Sequence, residues 1–152
     1  MKKTTIALVV IICIAMIAIS AVVLINLFID SQASQLTARL NTADLPTSLL
    51  DANADIIFSP LGCRRYSIGD EWIRLFVYSD SASAQADASR LGPSGSPYIG
   101  VWGFTAISWA KDPHFYIEDN IIIFYGGSNS TLLSGFENLF GPQFAGYSSH
   151  SN

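Results

Sequence analysis

The stretch CRRYSIGDEWIRLFVYSDSASAQADASRLGP, residues 63–93, alternates apolar and polar side chains on both sides of Gly69-Asp70 and then becomes rich in alanine. Alternation around a glycine-containing turn predicts a β-hairpin. Ser79-Asp80-Ser81 supplies the side chains that cap helix N-termini. Alanine then favours a helix over residues 82–91, which Gly92-Pro93 ends. The stretch therefore predicts one strand–strand–helix unit.

A second stretch, DPHFYIEDNIIIFYGGSNSTLLSGFENLFGP at residues 112–142, aligns with the first without a gap when the chain is shifted by 49 positions. Seven positions are identical, and most lie at turns, helix caps and helix ends: Ile68/Ile117, Asp70/Asp119, Ile73/Ile122, Ser79/Ser128, Ser81/Ser130, Gly92/Gly141 and Pro93/Pro142. Duplication and convergence on common turn chemistry explain the match equally well. Either way, the order predicts an α+β fold, with a ββα unit used twice in a single antiparallel sheet and helices on one face.

Aromatic side chains on the predicted strands are expected to supply the core. They are Trp72, Phe76, Tyr78, Phe104, Trp109, Phe115 and Tyr125. The list includes Phe104 and Trp109 because one further strand is predicted over residues 104–109. A weaker strand is predicted around residues 56–58. The second face of the alternating strands is expected to meet water or a partner.

Before these units, residues 4–29 contain no charged side chain. About 20 apolar residues in a helix cross a bilayer core of roughly 30 Å, so the run predicts one N-terminal transmembrane helix. A cleavable signal peptide with a site near Ala33 and a lipoprotein signal at Cys13 are the alternatives. The second lacks the small residue that should precede the cysteine. A helix over residues 32–41 follows, either separate from the membrane helix or continuous with it.

The charges that flank the apolar run predict its orientation. Lys2 and Lys3 precede the run and no basic residue follows before Arg39, so the N-terminus is expected in the cytoplasm. The chain is therefore expected to be a single-pass protein of the cell membrane, or a secreted protein if cleavage occurs near Ala33. The predicted division is a cytoplasmic N-terminus (1–3), an anchor in the lipid bilayer (4–29), an extracytoplasmic α+β domain (30–146) and a flexible tail (147–152).

The outer segment is acidic, because six of the eight basic residues and all twelve acidic residues follow Ile29. Its net charge of about −6 excludes the basic face that nucleic-acid binding requires. Of the two cysteines, Cys13 lies in the anchor, so the domain is expected to fold without an internal disulfide. No motif indicates a cofactor or a metal site.

The tail half resembles small bacterial envelope proteins of unknown function that are secreted or membrane-anchored. The residues that carry the resemblance are Trp109, Pro113 to Tyr116, Ile121 to Tyr125, Gly127 and Leu139 to Gly146, with weaker similarity at Phe76 to Tyr78 and Asp87 to Gly95. In all it spans about residues 56–146. The resemblance implies an envelope location and one compact domain, but no activity. The long anchor departs from the usual lipoprotein signal of such proteins.

Five residues are candidate contacts for a ligand or partner. Tyr98 and Trp102 lie in a loop rich in glycine and proline, where exposed aromatic side chains stack on sugars or bind partners. Trp109, His114 and Tyr116 complete the set, since histidine is the residue type that commonly takes part in proton transfer and ligand binding. The alternatives are that the loop aromatics fold back onto the core, and that His114 is held by a backbone carbonyl.

Cys63 is a candidate reactive thiol, because Arg64 and Arg65 follow it and nearby positive charge favours the nucleophilic thiolate. The alternative is a small buried cysteine beside two solvated arginines.

These features favour a membrane-tethered binding or interaction module, with an envelope protein or a small molecule as its partner. A non-enzyme is expected because no nucleophile–base or metal-binding set is visible. Two alternatives remain open. One is an enzyme that uses His114 with a nearby acid, and the other is a structural subunit whose open sheet face packs against another chain.

Overall fold

A computed structural model of the protein describes residues 2–52, 57–100 and 103–147. It contains three helices and eight strands within those ranges. In chain order they are α1 (Lys2–Thr42), β1 (Thr47–Asp51), β2 (Gly62–Ile68), β3 (Glu71–Val77), α2 (Ser81–Ala88), β4 (Tyr98–Gly100), β5 (Gly103–Thr105), β6 (Pro113–Glu118), β7 (Ile121–Gly126), α3 (Ser130–Phe140) and β8 (Ala145–Gly146).

The strands form one antiparallel sheet of six and a separate hairpin. The large sheet has the order β1-β2-β3-β7-β6-β8, and β4 and β5 form the separate hairpin. The two predicted hairpins, β2–β3 and β6–β7, are joined through their second strands, in a register that pairs Ile73 with Tyr125 and Val77 with Ile121. The predicted α+β class, the antiparallel sheet and the N-terminal apolar helix are confirmed.

The two ββα units have the predicted order, but they do not place equivalent residues on the same side of the sheet. Ile122 of β7 pairs with Phe76 of β3, and paired side chains share a face of the sheet. Phe76 is three positions from Ile73, so Ile122 and Ile73 lie on opposite faces. Ile73 accordingly packs in one core cluster, whereas Ile122, 49 positions later, packs in the other. The helices that follow the two hairpins therefore lie on opposite faces.

We call the side of the sheet that α1 and α3 cover the α1 face. Its core consists of Ile29, Ala33, Leu36, Leu40, Leu45, Tyr66, Ile68, Ile73, Leu75, Val77, Tyr116, Ile121, Ile123, Tyr125, Leu132 and Phe136. The helix α3 contributes Leu132 and Phe136, which are one turn apart and so project from one side of the helix.

The α2 face is the opposite side of the sheet, covered by α2 and by the segments around β4. Its core includes Phe58, Cys63, Phe76, Tyr78, Ala84, Ala88, Leu91, Tyr98, Phe115, Ile122, Phe124 and Ala145. The expectation of helices on one face only is therefore wrong, and so is that of an open second face. Strand alternation identifies two faces, but it does not say which helix returns to which face.

Helix α1 is continuous and has two environments. The large apolar side chains from Ile6 to Phe28 are exposed, whereas Ile29, Ala33, Leu36 and Leu40 are at most 3% exposed. The buried positions recur every three or four residues, which places them on one stripe of the helix. The predicted helix over 32–41 is thus the second half of α1, and the helix ends at Thr42, before Pro46.

Three smaller differences separate the sequence-based strands from the structure. Strand β1 was not predicted. The strand expected over 104–109 is confined to Gly103–Thr105, and its Phe104 is 76% exposed rather than part of the core. Ile57 and Phe58 lie outside the strands, and Ile56 lies outside the described residues.

Phe136 is the residue at which α3 is fixed to the sheet. Its ring centroid lies 5.7 Å from that of Tyr116 and 5.5 Å from that of Tyr125. We expect Phe136→Ala to lower the free energy of unfolding by about 3–5 kcal/mol, because a buried aromatic side chain leaves a cavity when it is truncated. Urea unfolding in detergent micelles measures the change.

The matched control is Asn138→Ala, because Asn138 is exposed on the same helix. It should change stability by less than about 0.5 kcal/mol. Equal effects of the two substitutions would contradict the packing of α3 described here.

Candidate functional site

The β4–β5 hairpin carries the exposed apolar side chains that are most suited to binding a partner. Ile99 pairs with Phe104 across the two strands, and these side chains are 57% and 76% exposed. Paired residues of antiparallel strands project from the same face, so the two form one apolar surface. Trp102 falls in the connection between the strands and lies outside the described residues.

Tyr98 holds the base of this hairpin on the domain. Its side chain is buried, and its ring packs edge-on against Phe58 with centroids 5.6 Å apart. The Ile99 amide donates a hydrogen bond of 2.8 Å to the Arg90 carbonyl. Of the two loop aromatics predicted as contacts, Tyr98 therefore folds back onto the core. The side chains that this hairpin exposes to solvent are those of Ile99 and Phe104.

A buried carboxylate, Asp87 on α2, fixes Tyr98 and two further segments of the chain. It accepts hydrogen bonds from the Tyr98 hydroxyl, from the Tyr78 hydroxyl at 2.8 Å and from the Ser59 amide at 2.7 Å. Arg90 lies 3.4 Å away and adds a positive charge. A buried charge is tolerated when it is paired and hydrogen-bonded in this way.

The role of Asp87 was not visible in the sequence. It sits in an alanine-rich helix, where an acidic residue usually indicates a solvated face. Its donors come from residues before and after the helix, up to 28 positions away. Burial, and then the hydrogen bond to Asp87, raise the pKa of Tyr78, so this tyrosine remains a neutral donor.

Trp109 also packs on the α2 face. Its indole N–H donates to the Gly95 carbonyl at 2.9 Å, and its ring lies 5.5 Å from Phe115 and 5.0 Å from Phe124. The ring is half-buried. These contacts account for the side chain as a cover for the core.

His114 is buried on the α1 face with one ring nitrogen bonded to an amide. Its Nδ1 lies 2.7 Å from Gln143 Oε1, while the Gln143 Nε2 group donates to the Tyr147 carbonyl. That second bond orients the amide, so Oε1 accepts and the hydrogen of His114 lies on Nδ1. His114 Nε2 is buried and has no hydrogen-bond partner among the described residues.

Tyr116 lies two residues further along β6, on the same face. It is fully buried, with its ring 5.7 Å from Phe136 and 6.4 Å from Phe140. Its hydroxyl, like His114 Nε2, has no partner within the described part of the chain. Burial raises the pKa of Tyr116 to about 12. Both predicted contact residues of β6 are therefore inside the protein.

Cys63 is buried in the α2 face, and burial raises its pKa to about 11. A thiol with this pKa is almost entirely protonated near neutral pH, so the structure favours the unreactive alternative over the reactive thiol. The neighbouring Arg64 is not solvated, because its side chain is only 6% exposed. Arg64 Nε donates to Asp30 at 2.8 Å, and Nη2 donates to Asn26 at 3.3 Å.

No group of three or more His, Cys, Asp or Glu side chains is placed to hold a metal ion within the described ranges. Helix α1 is long and apolar enough to cross a membrane, a property that anchors and signal sequences near an N-terminus share. No family model, curated protein or solved structure matches the chain.

Three tyrosines predict how stability depends on pH. The pKa of Tyr116 and of Tyr125 is raised to about 12, and that of Tyr78 is raised as well, with burial the first cause in each case. An unfolded tyrosine ionises near pH 10, so the folded state keeps protons that the unfolded state loses. Stability should therefore be complete below pH 10 and fall between about pH 10 and 12.

Chemical unfolding at pH 8 and pH 11 measures this loss. Tyr116→Phe should reduce it, whereas Tyr147→Phe at a half-exposed position should leave it unchanged. A free energy of unfolding that stays constant up to pH 12 would contradict this account, because it would show that folding does not raise the pKa of these hydroxyls.

Proposed function

We propose that the protein is a membrane-tethered interaction module of the cell envelope. The supporting observation is that one uninterrupted helix, α1, is exposed and apolar in its first half and part of the domain core in its second half. Lys2 and Lys3 precede the apolar half, which favours a cytoplasmic N-terminus and an outer domain on the far side of the membrane.

The packing of α1 supports a retained anchor over secretion after cleavage. Ala33, beside the possible cleavage site, is fully buried and lies within α1, nine residues before its end. Cleavage there would remove Ile29 from the core and would separate Arg64 from Asn26 and Asp30. A helix that contributes core residues on both sides of the site is better suited to staying attached.

The β4–β5 hairpin supports a binding role for the outer domain. Ile99 and Phe104 expose a joint apolar surface, and such surfaces commonly mark contacts with another protein or a ligand. The enzyme alternative has less support, because His114 pairs with the amide of Gln143 and no acid is bonded to it within the described part of the chain. The structural-subunit alternative relied on an open sheet face, whereas helices lie on both faces.

The experiment replaces Phe104 in the full-length chain by the photo-crosslinking amino acid p-benzoylphenylalanine and irradiates intact cells. We expect a covalent adduct, larger than the chain alone, in the membrane fraction. The cells are then treated so that their outermost barrier is open while the inner membrane stays intact. Protease added to these cells should degrade the adduct, because the proposed domain faces away from the cytoplasm.

The matched control carries the same amino acid at Gln85, an exposed position on α2. It should give little or no adduct. Equal crosslinking at both positions, or at neither, would contradict the hairpin as the contact surface. Adduct that resists protease until the inner membrane is broken would contradict the orientation.

A further inference from the structure

The length of the apolar half of α1 determines where it leaves the lipid. Between Lys3 and Asn26 stand residues 4–25, all uncharged. At a rise of 1.5 Å per residue they span about 33 Å, against a hydrocarbon core of about 30 Å. With Lys3 at the cytoplasmic surface, the hydrocarbon on the far side ends near Ile25.

The folded domain begins at the same point, without a linker. Arg64, at the start of β2, donates hydrogen bonds to Asn26 at 3.3 Å and to Asp30 at 2.8 Å. Gly62 lies against the side chain of Ile29, so closely that a methyl group there would collide with it. The first contacts with the sheet, made by Asn26, Ile29 and Asp30, thus fall within about 8 Å of the hydrocarbon boundary.

Two exposed apolar side chains adjoin this point. Phe28 precedes Ile29 on α1 and is 36% exposed, and Leu61 precedes Gly62 and is 44% exposed. We call Phe28 and Leu61 the membrane rim.

The opposite end of β2 lies at an exposed turn, far from the point where α1 leaves the domain. The strand runs seven residues from Gly62 to Ile68 and turns at the exposed pair Gly69-Asp70. At about 3.3 Å per residue, that turn is about 20 Å from Gly62. The apolar side chains of the rim therefore belong to the end of β2 from which α1 leaves the domain.

We propose that the membrane rim inserts into the headgroup and upper acyl layer of the outer leaflet, so that the domain lies directly on the bilayer. This inference rests on the proposed membrane tether. The headgroup layer extends about 5–8 Å beyond the hydrocarbon on each side, which covers these first contacts. Phe28 and Leu61 there meet acyl chains, while Arg64 stays at headgroup level with Asn26 and Asp30 as its partners.

The test uses the full-length chain in vesicles of phosphatidylcholine, which carries no net charge. Leu61→Cys is labelled with the polarity-sensitive dye NBD in a Cys13→Ser, Cys63→Ala background. We expect blue-shifted emission, loss of emission with lipids that carry a doxyl quencher near the headgroup, and protection from aqueous iodide.

The matched control is Asp70→Cys in the same background, at the far turn of β2. Its label should be quenched by iodide and not by doxyl lipid. A Leu61 label quenched by iodide as strongly as the Asp70 label, and insensitive to doxyl lipid, would overturn the proposal. Cooperative unfolding of each labelled protein shows that the readout comes from folded chains.

A third label separates this proposal from the membrane tether itself. Cys13 lies inside the apolar half of α1, and in the Cys63→Ala chain it is the one remaining thiol. Quenching of a Cys13 label by deeply placed doxyl groups, with none at Leu61, would refute the rim and leave the tether intact. Quenching by iodide at both positions would refute the tether as well.

Discussion

The structure depends on the packing of the second half of α1 against the sheet. Ile29, Ala33, Leu36 and Leu40 bring one stripe of the helix into the core of the α1 face. The same helix continues outward as an exposed apolar rod. Because a helix has no flexible joint unless its hydrogen bonding is interrupted, the apolar rod and the domain are coupled in both position and orientation.

Buried polar groups specify how the other segments attach to this framework. Arg64 joins the start of β2 to α1, and Asp87 joins α2 to the base of the β4–β5 hairpin. Each charge is surrounded by donors or acceptors from distant parts of the chain, so each favours a single arrangement of its segments. The β4–β5 hairpin can expose Ile99 and Phe104 to solvent because the buried Tyr98 at its base donates a hydrogen bond to Asp87.

Local chemistry made much of the fold predictable. Alternation and turns located both hairpins. Asp80 caps α2 within the predicted cap segment, and Asn129, at the matching position of the second unit, caps α3. The side of the sheet on which α2 lies was not predictable. It follows from the register in which β3 pairs with β7, because that register decides whether matched residues of the two hairpins share a face. The site was predicted less well, because residue type alone does not distinguish a buried aromatic side chain from an exposed one. Tyr98 and Tyr116 were expected at a surface and are buried, and the partners of Arg64 are 34 and 38 positions away.

The measurement that tests this account most directly compares the thermal unfolding of two shortened chains, residues 25–152 and residues 43–152. The first lacks most of the apolar rod but keeps every α1 residue that packs on the sheet, and the second lacks the helix altogether. If α1 is part of the core, the chain 25–152 should unfold cooperatively, and the chain 43–152 should show no cooperative transition. Cooperative unfolding of both chains at the same temperature would contradict the account, because the helix would then be an attachment and not part of the fold.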